Sequence, residues 1–139
     1  EPDHVSHIFQ AIAAMATALF SLVPAAAGES LATRARELGH LGERIRELAF
    51  HQALISYIDN RYLEKIYQQF LDGYIGYVIL YLKEDNQESA QILSSLMDAI
   101  HRGDRAEIAQ ETRYFLSLAE IMRQHMKDWE SAEASIREN

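Results

Sequence analysis

No proline follows Pro24 in this chain of 139 residues, and only Pro2 precedes it. A proline costs a helix interior about 3 kcal/mol, so a run this long without one leaves nearly the whole chain open to helix. Six glycines are too few to break that run often, and no strand-like alternation of useful length appears. With 48% hydrophobic residues the chain can bury one sizeable core. The expected fold is therefore all-α: a single domain over residues 1–139, built as an antiparallel bundle of about six helices joined by short turns.

Helical spacing divides the chain. A first helix is predicted over residues 3–22, with Asp3 as its N-cap and Val5, Ile8, Phe9, Ile12, Met15, Leu19 and Phe20 on one face. It ends at Val23-Pro24, because the residue before a proline is pushed out of the α region. The apolar run 8–23 follows acidic residues and histidines rather than a basic segment, and it is short and patterned. It reads as a core helix, not a signal peptide or a membrane span. A short helix is predicted over 30–38, bent near Gly39 and Gly42, and a third over 43–57, burying Ile45, Leu48, Ala49, Leu54 and Ile55 or Ile58. Asp59-Asn60 ends or kinks it. A fourth, 61–83, carries Tyr67, Phe70, Tyr74, Tyr77 and Tyr81, and a fifth, 87–102, buries Ile92, Leu93, Leu96, Met97 and Ile100. Gly103 suits the position after a helix end and Asp104 caps the last helix, 105–135, with Ile108, Phe115, Leu118, Ile121, Met122 and Trp129 as its apolar residues.

Composition excludes several function classes. The formal charge is −8 and no lysine/arginine run interleaves with aromatics, so this segment lacks the footprint of a nucleic-acid surface. Cysteine is absent, which removes disulfides and thiolate chemistry; the cytoplasm is the expected compartment, with no membrane partner. Di-metal carboxylate bundles need Glu-x-x-His on two helices, and no matched pair of copies occurs. No phosphate loop or nucleophile elbow appears either, so no enzyme is expected. The chain opens on a helix without an initiator methionine, so a longer protein is expected around it.

Glu47 and His51 stand four residues apart, on one face of the predicted third helix. They read as a polar pair lining a pocket, as a satisfied core pair, or as an exposed contact. The tyrosine stripe reads as core or interface, with Tyr74 and Tyr77 the two expected to face a cavity. Gly73 and Gly76 each cost that helix about 1 kcal/mol against alanine, which close packing or room for a ligand would explain. Arg46 and Arg113 suit an effector carboxylate or a solvated salt bridge. His4, His7, His40, His101 and His125 have no mutual ligand spacing and read as surface residues.

Glu47-x-x-x-His51 in the helix that carries AFHQAL, the break at Asn60, and LMDAIHRGD from Leu96 to Asp104 together resemble the C-terminal effector domain of FadR-type GntR transcriptional regulators. The resemblance implies a bundle that dimerises and binds a small metabolite, with operator DNA bound only through an N-terminal winged helix that this sequence lacks. Most members of that family hold a metal through one Asp and three His. Glu47 and His51 match the first two positions, and the family's spacing puts Leu93 and Phe115 at the other two. Neither can ligate, so no metal and no cofactor is expected, and the effector is expected to be partly apolar. The effector would enter among the last three helices. Its expected contacts are Glu47, His51, Tyr74, Tyr77, Leu93, Arg113 and Phe115. The alternative is a helical partner-binding or structural module with no ligand.

Overall fold

The structure, a computed structural model, describes residues 2–24, 26–27, 30–31, 33, 37, 42–84 and 87–138. About 90% of those residues are helical, with no strand among them, and they form five helices rather than about six. The predicted short helix at 30–38 falls largely outside the described residues, as does His40.

α1 is Pro2–Leu22, with Val5, Phe9, Ile12, Ala16, Leu19 and Phe20 buried. The helix is already under way at Pro2, so Asp3 lies inside its first turn and is not the N-cap; proline is well placed there because its missing N–H has no partner to lose. Residues His4–Leu22 are long and apolar enough to cross a membrane by length and composition. Their apolar face is nonetheless the one packed along the last helix, as a core helix would pack.

α2 is Glu43–Ser56. Its inward face is Glu47, Phe50, His51, Leu54 and Ile55, while Ile45, expected inside, is exposed. Leu54, Ile55 and Ile58 are buried as expected, and two ionisable residues on the buried side explain why hydrophobicity alone misplaced Ile45. Asn60 then caps the next helix, which starts at Arg61, its side chain accepting from the N–H groups of Tyr62 and Leu63 at 3.1 Å.

α3 is Arg61–Phe70 and continues through two π-type turns, Leu71–Ile75 and Val78–Leu82. Tyr67, Leu71, Ile75, Ile79 and Lys83 are all buried at a strict four-residue spacing. Four residues overshoot an α-turn by about 40°, so four such steps would carry Lys83 about 160° around the axis from Tyr67. Each π-type turn takes up one extra residue, worth about 100°. The two together return Lys83 to within about 40° of Tyr67, on the side facing α2. Gly76 makes the first of these turns possible. Its N–H bonds the Leu71 carbonyl five residues back, and a Cβ there would stand 2.7 Å from that oxygen. Arg44 on α2 closes the end of α3, its guanidinium donating to the carbonyls of Lys83 at 3.0 Å and Leu80 at 3.4 Å.

α4 is Gln87–Arg102, with Leu96, Ala99 and Ile100 buried. Gly103 follows with φ +65°, the left-handed value that favours glycine after a helix. Asp104 caps α5, which comprises Arg105–Glu111 and Arg113–Glu138 on either side of Thr112. Tyr114, Phe115, Leu118 and Ala119 enter the core. Trp129, one of the apolar residues of this helix, is 66% exposed, because α5 by then has run past the helices that would cover it.

Candidate functional site

A buried polar group sits among apolar neighbours inside the bundle. Glu47 and His51 project from α2, Tyr67 and Lys83 from α3, and Tyr114 from α5, and all five are buried. His51 is wholly enclosed by rings: Tyr67 and Tyr114 stack on it with centroids 6.1 and 5.8 Å away, Phe115 lies at 5.9 Å and Phe50 at 5.5 Å. Its Nδ1 is 2.7 Å from the Tyr67 hydroxyl and its Nε2 is 3.4 Å from the Tyr114 hydroxyl. The imidazole thus bridges two phenols. Burial first, and the Lys83 ammonium second, hold it down at about pH 3, so it is neutral at any ordinary pH. Burial also raises the Tyr67 phenol, which keeps its proton.

Lys83 donates to Glu47 Oε2, and its ammonium lies 5.9 Å from the centroid of the Tyr114 ring. Such a buried cation is held by opposite charge and by the negative face of the ring together. Lys83 stands at the C-terminal end of α3, where a positive charge also suits the helix dipole.

These residues do not fit the metal site of the family they resemble. Glu47 faces an ammonium, both nitrogens of His51 face phenols, and Leu93 and Phe115 offer no donor. Among the described residues, no group of three or more His, Cys, Asp or Glu could hold an ion. Lys83 supplies the positive charge beside Glu47 instead.

A cleft of about 230 Å3 opens beside this group, between α2 and α4. Its lining includes Glu43, Arg46, Glu47 and Phe50 from α2, Lys83, and Leu93, Ser94 and Met97 from α4. The Glu47–Lys83 pair forms its floor, and the exposed Ser94 stands at its rim.

The structure brings Glu47, His51 and Phe115 together and sets Leu93 on the adjoining cleft. The remaining three expected contacts lie elsewhere. Tyr74 packs on Phe9 and Phe70, toward α1. Tyr77 points outward against Tyr81 and His125. Arg113 is exposed and pairs with Glu111 at 3.6 Å. The turn that α3 gains from its π-type segments is what carries Tyr74 and Tyr77 away from His51. The opening, correspondingly, involves α2 and α4 rather than the last three helices alone. His4, His7 and His101 are exposed, while His125 is half-buried in an outer groove. Sequence reasoning missed Tyr67 and Tyr114 as the partners of His51, and Lys83 as the partner of Glu47. The four-residue spacing of buried positions from Tyr67 to Lys83 is the signal that could have found the last of these.

A family model described as the FCD domain matches residues 10–128 of the chain. No curated protein and no solved structure matches it.

Proposed function

From a chain that belongs to the FCD domain family, the C-terminal effector-binding domain of FadR/GntR-type regulators, we propose a sensor that takes a small, partly apolar metabolite into the cleft beside Glu47 and Lys83. The observation that carries this reading is the cleft itself: about 230 Å3, apolar at Phe50, Leu93 and Met97, and floored by a buried ion pair. Concave, mostly apolar sites with a few convergent polar groups are the usual form of small-molecule sites. The positive charge there comes from Lys83, so binding needs no metal. The domain senses and does not catalyse.

In this reading operator DNA is bound through a winged helix outside this sequence, in the cytoplasm, and two copies of the bundle hold the two DNA-binding units at a set spacing. The pairing face is the outer surface of α3 and α5. There Tyr77 and Trp129 are exposed beside Met122 and Met126 around a groove of about 500 Å3, with Tyr81 exposed next to Tyr77. A ligand that favours one arrangement of α2, α3 and α4 by about 1 to 3 kcal/mol would change that spacing by an ordinary allosteric coupling.

The test is a thermal-shift screen of small metabolites followed by calorimetry of the hits. Leu93→Trp, which fills the cleft, should abolish binding while leaving the fold intact. A hit whose affinity Leu93→Trp leaves unchanged would move the site elsewhere.

A further inference from the structure

The charges around the cleft are balanced in an informative way. Two acids and two bases line it: Glu43 and Glu47, Arg46 and Lys83. The inner pair, Glu47 with Lys83, is joined and buried. The outer two, Glu43 and Arg46, stand three residues apart on α2, on one face of the helix, yet among the described residues neither makes an ion pair or a hydrogen bond through its side chain. The Nε of Arg46 is buried and has no acceptor. Lys83 has donors to spare as well. An ammonium carries three N–H groups, and Glu47 takes one.

A ligand of one sign answers only half of this. A carboxylate alone would meet Arg46 and Lys83 but bring its charge beside Glu43. An amine alone would meet Glu43 and leave the buried Arg46 donor unanswered. Buried polar groups without partners cost about 1 to 3 kcal/mol each, so a molecule carrying both charges gains over either half. The space is smaller than the roughly 300–1,000 Å3 of drug-sized sites, and Phe50, Leu93 and Met97 supply apolar wall beyond the charges.

We propose that the cleft takes a zwitterion, an α-amino acid with an aliphatic or thioether side chain: its carboxylate on Arg46 and the spare donors of Lys83, its ammonium on Glu43, its side chain between Phe50, Leu93 and Met97. The assignment rests on the sensor reading above and names the ligand class of that same site.

Isothermal titration calorimetry of the 139-residue chain decides it, with L-leucine and L-methionine as probes, 3-methylbutylamine as the analogue without the carboxylate, and 4-methylpentanoate as the analogue without the ammonium. At least one amino acid should bind, and both analogues should bind more weakly by about tenfold or more, as sites built to bond a polar group discriminate against its loss. Arg46→Met should bring the amino acid down to the level of the amine, and Glu43→Gln down to the level of the acid. Neither side chain is in the core, so unchanged melting midpoints will certify the fold. If 4-methylpentanoate binds as tightly as the amino acids, or if no probe binds while another metabolite binds in a manner abolished by Leu93→Trp, the zwitterion assignment falls and the sensor reading stands. If nothing from the metabolite screen binds in that Leu93-dependent manner, both fall.

Discussion

Lys83, the residue that ends α3, places its ammonium on the carboxylate of Glu47 in the middle of α2, and the two side chains are only 5% and 3% exposed. One ion pair thus ties the far end of one helix to the centre of another. Removing one partner from such a pair strands a charge in low dielectric.

Lys83→Met should therefore lower the unfolding free energy by about 3 to 5 kcal/mol, whereas Lys83→Met with Glu47→Leu should recover most of that loss. Urea titration of the two single variants and the double variant measures the coupling. Additive effects would mean that the two side chains do not interact in solution.

Acid sensitivity follows from His51. Its folded value is about 3 against an ordinary 6.5. Below the ordinary value the unfolded chain takes up a proton that the folded chain refuses, so the unfolded state binds more protons and stability falls as pH falls. This contribution is whole above pH 6.5 and is lost through the window down to about pH 3. The slope should approach roughly 1 kcal/mol per pH unit, and His51→Gln should flatten it by that amount. An equal slope in wild type and variant would place the responsible groups elsewhere.

The two glycines of α3 should respond oppositely to alanine. At Gly76 a Cβ meets the Leu71 carbonyl at 2.7 Å, so Gly76→Ala must disturb the π-type turn and should cost about 1 to 3 kcal/mol. At Gly73 nothing lies within 4 Å. Gly73→Ala should be stabilising by about 0.4 to 1 kcal/mol, through reduced freedom of the unfolded chain. Chemical denaturation of both variants side by side reads the difference; equal losses would mean that α3 lacks its π-type turns in solution.

Chelation should change nothing. Dialysis against EDTA is expected to leave the melting midpoint where it was, and added zinc or nickel should not raise it, because Lys83 already answers Glu47 and phenols occupy both nitrogens of His51. A stoichiometric metal-dependent rise would mean that the polar group rearranges to ligate.

Trp129 is the one tryptophan of the chain and reports on the outer groove. If two copies pair through α3 and α5, its emission should shift to the red on dilution, and Trp129→Glu should yield a monomer by sedimentation. An emission maximum that stays red at every concentration, with a dimer retained by Trp129→Glu, would put the interface on another face.

Much of the architecture could be read from the sequence because its punctuation is local. Pro24, Asn60, Gly103 and Asp104 each set a boundary through their own backbone or side-chain chemistry, and the structure puts a helix end beside each. Glu47 and His51 share a face for an equally local reason. What surrounds them was less visible. Tyr67 and Lys83 meet α2 together only because α3 abandons the regular α repeat, and a periodicity of 3.6 assigns them to opposite sides. Ile45 was misplaced because the inner face of α2 carries charge, which hydrophobic patterning discounts.

The bridge from Tyr67 through His51 to Tyr114 contains three polar hydrogens and only two gaps to fill, so one hydrogen must point away from the bridge. An acceptor presented to the Tyr114 hydroxyl leaves the imidazole proton on Nε2 and turns the Tyr67 hydrogen toward Nδ1; an acceptor presented to Tyr67 reverses the whole row. The ring therefore has two tautomers, one for each direction of the row, legible in its nitrogen chemical shifts without any atom heavier than hydrogen having moved.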